Sequence, residues 1–185
     1  MDARFENDPG RDDELILVDM FDRQTGVATK VRAHLTNQLH RAFSVVLMRD
    51  GEDGPELLLA KRSRYKYHSQ GLWANSCCSH PRDGEDILDA AYRRTYEELG
   101  THALDLQEIG AFVYRSVYDG GISEFEYDHV FLGRCDEEPH PDPIEVSDVR
   151  WITPDALSHE LIETPDAFAT WAITVFPLVF KHLGL

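Results

Sequence analysis

The sequence predicts an α+β fold in one domain with strands in the majority, and three observations carry that reading. Short aliphatic, β-branched and aromatic runs recur between turn signals along most of the chain. One segment, Asp86–Leu99, has clear helical periodicity, and a longer apolar helix closes the sequence. The 185 residues, 42% of them hydrophobic, suffice for a single core, and the pattern shows neither an internal repeat nor a second domain.

Taken in order, residues 1–14 read as a flexible acidic lead (Asp2, Glu6, Asp8, Asp12, Asp13, Glu14), with the folded domain spanning 15–185. Leu15–Asp19 and Val27–Arg32 are β-like runs around the turn Asp22–Gly26. Ala42–Arg49 is a buried-strand candidate, and the turn Asp50–Pro55 leads into Glu56–Lys61 to make a hairpin. The helix Asp86–Leu99 sets Ile87, Ala91 and Leu99 on or near one side, and Gly100 stands where a helix stop belongs. Strands are expected at Gln107–Val117, Phe125–Gly133 and Val149–Ile152, with Asp136–Pro143 a loop. Thr153 and Pro154 read as the cap and first residue of a short helix, and Pro165–Leu183 as a longer one with Pro177 a site for a kink.

Composition narrows the function. With 34 acidic against 18 basic residues the net charge is −16, which disfavours unaided binding to nucleic-acid backbones or anionic membranes. The longest apolar stretch, Trp171–Phe180, is too short to span a bilayer and contains Thr174 and Pro177. The acidic N-terminal segment lacks the order of a signal peptide, and three cysteines, two adjacent, make no disulfide framework. A reducing cytoplasm is therefore expected. Lysine is scarce (Lys30, Lys61, Lys66, Lys181), and two readings of the acid excess stay open: adaptation to a very salty cytoplasm, or an ordinary acidic surface.

Chemistry concentrates between Trp73 and Gly100. Asn75-Ser-Cys-Cys-Ser-His-Pro81 places a thiol and an imidazole two residues apart, and the helix behind it carries Arg93, Arg94, Glu97 and Glu98. Arg94 and Glu98 are four apart and share a helix face, which alone would be a surface ion pair. His34 and His40 precede the first core strand. Alone each would be an ordinary hydrogen-bonding residue, but with His80 and a carboxylate pair they become candidate ligands. Glu124 and Glu126 alternate with Phe125 and Tyr127, so on a strand both carboxylates face one side.

The spacing of Glu85, Arg93, Arg94, Glu97, Glu98 and Gly100 resembles the Nudix box, a loop–helix–loop that holds a divalent cation against a diphosphate. Aligned on Gly100, Ser79 replaces the first glycine of the box, and Arg94 replaces the carboxylate that follows Arg93. That exchange weakens a hydrolase's metal cluster and favours direct binding of phosphate oxygens by a guanidinium. Together with the Asn75–Pro81 motif, it makes the chain resemble the type 1 isopentenyl-diphosphate isomerases from about Leu15 to Phe180.

The resemblance implies a Nudix-type mixed β-sheet sandwiched by helices. It also implies interconversion of isopentenyl and dimethylallyl diphosphate through a carbocation, in isoprenoid biosynthesis. Carried over residue by residue, Cys78, Glu126 and Tyr114 are catalytic: Glu126 with Tyr114 protonates the terminal carbon, and Cys78 as a low-pKa thiolate takes the proton from C2. Lys30, Arg62, Lys66 and Arg94 contact the diphosphate, and Trp171 stabilises the cation through its indole face. His34, His40, His80, Glu124 and Glu126 hold one divalent metal, zinc or manganese by donor type, and Glu98 holds Mg²⁺ with the substrate. The implied partner is a small isoprenoid diphosphate, with no nucleic acid or membrane partner and a monomeric chain. Two other readings of the box are a Nudix pyrophosphohydrolase and a diphosphate-sensing regulator. Arg94 and the Cys78–His80 pair argue against the first, and the lack of an appended domain against the second. A structural zinc site on Cys77, Cys78 and His80 lacks a second ligand pair, since Cys135 stands alone.

Overall fold

A computed structural model describes Glu6, Gly10, residues 13–52 and residues 54–185. The acidic lead before Asp13 lies mostly outside the described residues, as does Asp53 in the expected turn. The elements run β1 (Glu14–Val18), β2 (Gln24–Thr29), α1 (Lys30–Leu35), β3 (His40–Gly51), β4 (Gly54–Arg62), β5 (Trp73–Ala74) and β6 (Cys77–Ser79). They continue with α2 (Ile87–Leu99), β7 (Leu104–Val117), β8 (Ser123–Arg134), β9 (Val146–Ile152), α3 (Pro154–Glu163) and α4 (Ala172–Leu183).

Strand β3 is the spine of a mixed sheet. It runs parallel to β8 from His40↔Glu126 to Met48↔Arg134, and antiparallel to β6 and β4. β7 extends the sheet beyond β8, β9 beyond β4, and the β1–β2 hairpin joins β3 through Leu17↔His40. The apolar run of β3 explains its central place, because alternate residues feed two cores. Val46, Leu57, Leu59 and Val130 pack against Trp171, Val175, Phe176 and Val179 of the C-terminal segment. Phe43, Val45, Leu47, Leu58 and Phe131 pack against Ala90, Ala91 and Leu99 of α2. The sheet is thus sandwiched by helices, as the α+β reading expected. The same alternation separates the vicinal cysteines: Cys77 belongs to the α2-side core, and Cys78 packs against the other.

Helix α2 is bounded as its sequence foretells. Asp86 accepts hydrogen bonds from the backbone of Leu88 and Asp89 at the start, and Gly100 ends the helix at φ 61°. A Cβ on Gly100 would sit 2.4 Å from His140 O, so glycine is required there for space as well. Arg93 clasps Glu85 through two hydrogen bonds of 2.7 and 2.8 Å, tying the loop before the helix to its third turn.

Three expectations need correction. Glu14, assigned to the flexible lead, is the first residue of β1. The run Val27–Arg32 is not one strand: β2 stops at Thr29, whose hydroxyl accepts from Arg32 N and caps α1. β-Branched Thr29 fits a strand and a cap equally, so local pattern could not separate the two. Pro165–Leu183 is not one helix either. A single turn at Pro165–Ala167 gives way to extended Phe168, which bridges to Trp73, and α4 starts only after Trp171. The interruption docks the segment on β5 through Ala169 N to Trp73 O at 2.8 Å. Pro177 is accommodated inside α4.

Candidate active site

The parallel pairing of β3 and β8 aligns His40 with Glu126 and Ser44 with Val130, so the inward residues of both strands meet over one cleft of about 550 Å³. Cys78, His80, Tyr114, Glu124, Glu126 and Trp171 line it, as do the four basic residues Lys30, Arg62, Lys66 and Arg94. Gly10 and Asp13, from the acidic lead, also reach its wall.

At the inner end, His34, His40, His80 and Glu126 converge, with one ligand atom of each within 4.8 Å of all the others. His34 and His40 each bring Nδ1 to a backbone carbonyl, Lys30 O at 2.7 Å and Gln38 O at 2.8 Å. A carbonyl accepts only, so both rings carry a proton on Nδ1; His34 Nε2 meets the Tyr67 hydroxyl at 2.7 Å. Buried His40 Nε2 has no hydrogen-bond partner among the described residues and stands 3.4 Å from Glu126 Oε1. Burial pushes the His34 imidazole well below its usual range, and the neighbouring His40 pushes the same way. Burial also lowers His80, against the pull of Glu126, to which His80 Nε2 lies 3.0 Å away. Burial works against the charge on Glu126, but His40 and His80 outweigh it and keep this carboxyl ionised. Three buried imidazoles converging on an ionised carboxylate make a donor set that fits a divalent cation.

Glu124, expected in the same ligand group, stands beside it. Its Oε1 lies 2.6 Å from His68 Nε2, and its Oε2 accepts from Tyr114 at 2.8 Å and Tyr118 at 3.2 Å. Burial opposes its charge, His68 favours it, and the carboxyl is held down at about 2. Tyr114 Oη also lies 2.6 Å from Glu126 Oε2, so one phenol spans both carboxylates. Burial and then the charge of Glu124 push that phenol far up, and it remains a hydrogen donor.

The other end of the cleft is a charge lattice. Arg94 reaches Ser79 Oγ at 3.0 Å, Glu98 Oε1 at 2.6 Å and Glu145 Oε1 at 2.9 Å. Lys66 hydrogen-bonds the other oxygen of Glu145. Burial opposes ionisation of Glu145, yet Lys66 and Arg94 hold it at about 2. Arg62 stacks over Trp171 at 5.0 Å and Lys30 over Tyr67 at 4.7 Å. Glu98, buried behind Arg94, lines an adjoining cavity rather than the main cleft.

At Cys78 the surrounding protein groups favour the thiol. Burial, then the nearby Asp128, push its thiol up rather than down, and Ser44 and Arg62 offset this only in part. Trp171 Nε1–H points at Sγ from 3.0 Å. Burial raises the buried Cys77 thiol as well, and Cys77 faces away from the cleft.

Sequence reasoning missed His68, Asp128 and Glu145. Asp128 continues the two-residue period of Glu124 and Glu126; it accepts from Ser44 Oγ at 2.8 Å, and burial pushes its carboxyl well up. Glu145 follows a proline-rich loop, and nothing local pairs it with a lysine 79 residues away.

The Nudix domain family matches residues 38–172. An isopentenyl-diphosphate Delta-isomerase of Aromatoleum aromaticum is 44% identical over 160 residues, 86% of this chain and 88% of its own. One from Photobacterium profundum is 40% identical over 175 residues, covering 94% of this chain and 97% of its own. The chain belongs to the isopentenyl-diphosphate Delta-isomerase family, within the Nudix fold. A Photorhabdus laumondii member is 42% identical over 86% of this chain and 88% of its own. Among solved structures, a Deinococcus radiodurans protein superposes with a TM-score of 0.71 at 20% identity, covering 89% of this chain and 98% of its own. A MutT Nudix hydrolase from Burkholderia pseudomallei gives 0.61 at 20% identity, over 77% of this chain and 98% of its own. These two likenesses concern the fold; the isomerase family is carried by the closer sequences.

Proposed function

We propose that the chain interconverts isopentenyl and dimethylallyl diphosphate in isoprenoid biosynthesis, with residues 15–185 as the catalytic domain. The observation that carries this reading is the meeting, in one cleft, of a Cys78 sulfur and a Tyr114–Glu126 pair beside a cluster of buried cations. Alkene isomerisation needs a proton donor and a proton acceptor that can exchange roles, shielded from water. In the proton arrangement described above, Cys78 carries the proton and Glu126 is ionised. That form suits dimethylallyl diphosphate: the thiol protonates C2, and Glu126 with the Tyr114 hydroxyl takes a proton from the methyl group. The opposite direction needs the proton on the Glu126–Tyr114 pair and a thiolate at Cys78. The two forms have the same net charge and differ by the location of one proton. Trp171 favours the second by donating to sulfur, and its ring faces the cationic intermediate.

Lys30, Arg62, Lys66 and Arg94 bind the diphosphate, with Arg94 and Lys66 exchanging Glu145 for phosphate oxygens. A divalent cation held by His34, His40, His80 and Glu126, with Glu124 beside it, supplies fixed positive charge. Manganese or zinc suits that donor set, and Mg²⁺ with Glu98 neutralises the diphosphate. The reading includes a monomer in a reducing cytoplasm, acting without nucleic acid or membrane. The three free cysteines, the charge of −16 and the lack of a membrane-long apolar helix among the described residues support it.

A proton NMR time course with isopentenyl diphosphate and Mg²⁺ tests the proposal. Two allylic methyl signals should grow with the wild type and with Cys77→Ala. Cys78→Ala should lower the rate by at least about 1,000-fold. Phosphate release from nucleoside diphosphate derivatives, undiminished in Cys78→Ala and without allylic product, would transfer the assignment to a hydrolase.

A further inference from the structure

Asn75 and Ser76 join β5 to β6, and both are buried. Ser76 Oγ donates to Leu58 O at 2.7 Å and accepts from Leu47 N at 2.8 Å, bolting the link to β4 and β3. Asn75 Nδ2 donates to Val45 O at 3.1 Å and Cys77 O at 2.9 Å. Both partners are pure acceptors, so the amide cannot be turned over, and Oδ1 faces the other way. There it accepts from Trp171 Nε1 at 3.0 Å and from Cys78 Sγ at 3.0 Å. Trp171 Nε1 is also 3.0 Å from Cys78 Sγ. Two atoms three residues apart and a third from the far end of the chain therefore form a triangle with equal sides, and its one rigidly held corner is the Asn75 oxygen.

We propose that Asn75 is a positioning residue for the isomerisation, its Oδ1 setting the Cys78 sulfur and the Trp171 indole in register with each other. The inference rests on the function proposed above. Cys78 and Trp171 lie 93 residues apart, and among the described residues Asn75 is the only side chain hydrogen-bonded to both. Sulfur is a weak acceptor, so without Oδ1 the indole N–H keeps only a poor anchor and the thiol loses its acceptor. Displacement of about 1 Å at a reacting group costs on the order of 100-fold in rate. Lys66 and Arg94, the proposed diphosphate ligands, bond Glu145 and not Asn75, so binding should be spared.

Three variants separate positioning from plain structural support. Asn75→Leu keeps the branched heavy-atom shape and removes every polar atom of the side chain; kcat should fall about 10- to 100-fold with KM within about threefold of wild type. Asn75→Asp keeps an oxygen toward Trp171 and gives up the anchoring donors; it should melt lower yet hold kcat within about tenfold. Trp171→Phe removes the N–H, and in that background Asn75→Leu should cost less than half its effect in log kcat. If Asn75→Leu does not fold, Asn75→Asp alone and with Trp171→Phe decides. An Asp variant that loses kcat in step with its stability, or an Asn75→Leu penalty identical in both backgrounds, would overturn the inference. So would wild-type kcat in Asn75→Leu. A wild type that makes no allylic product defeats the proposed function instead, so the two failures are distinguishable.

Discussion

The two ends of the cleft handle buried charge in opposite ways. At the histidine end, backbone carbonyls engage Nδ1 of His34 and His40, Tyr67 reaches His34 Nε2, and His40 Nε2 has no hydrogen-bond partner among the described residues. At the diphosphate end two of the cations already have carboxylates: Lys66 and Arg94 share Glu145, and Arg94 also holds Glu98 and Glu97. One end is a cluster of imidazole nitrogens and a carboxylate that a metal cation would complete, and the other holds ion pairs that an anion must exchange. Substitutions should therefore fail differently at the two ends, in metal content at one and in substrate affinity at the other.

The largest effect should come from the histidine end. His40→Ala and His80→Ala should each lower turnover by more than about 100-fold and reduce bound divalent metal, read by elemental analysis of the purified protein. Full metal occupancy in both variants would break the comparison. At the diphosphate end, Arg94→Ala should raise KM about 10- to 100-fold, the value of a charge-assisted pair or two, while metal content stays at the wild-type level. Glu98→Gln should raise the Mg²⁺ needed for half-maximal rate.

Acid should discriminate between the ends without any substitution. Burial lowers the His34 and His80 imidazoles in the folded chain, so the unfolded chain takes up protons first as pH falls below about 6.5. Stability should then decline with acid by up to about 1.4 kcal/mol per pH unit for each such imidazole, measured by urea unfolding without added metal. Glu145, held at about 2, contributes stability that is present above the ordinary carboxylate range and lost only as pH falls toward 2. Between pH 6.5 and 5 only the histidine end should weaken; a flat stability profile there would remove the distinction. The smallest effect is expected from Glu145→Gln, which deletes the carboxylate that competes with phosphate oxygens. Inorganic pyrophosphate should inhibit this variant a few-fold more tightly, on the order of 1 kcal/mol, while the melting temperature falls because Lys66 and Arg94 lose a partner.

Local signals reached the elements that packing merely confirms. Asp86 and Gly100 bound α2 because cap chemistry is written in neighbouring residues, and the alternation around Glu124 and Glu126 survives in β8. They could not reach features decided at a distance. His34 was legible as a candidate ligand, but the helix that carries it was not, because Thr29 suits a strand end and a helix cap alike. The pairing of Glu145 with Lys66 spans 79 residues and leaves no mark on the spacing. Cys78 was legible as a reactive thiol from its motif, while its acidity depends on burial beside Asp128, which only the fold brings near.

The register of β8 has a consequence for how this site can change. Glu124, Glu126 and Asp128 turn inward because they share one parity, and the pairing from His40↔Glu126 to Met48↔Arg134 clamps that parity to β3. Slipping β8 by one residue would expel all three carboxyls together and present Phe125, Tyr127 and His129 instead. Length is therefore constrained unequally along the chain. The turn Asp119–Gly121, directly upstream of β8, should reject a single inserted residue, whereas the stretch 136–139, ahead of the bond from His140 N to Leu99 O, should absorb one. Drift in loop length is free on one side of this strand and forbidden on the other, so the site is inherited whole or not at all.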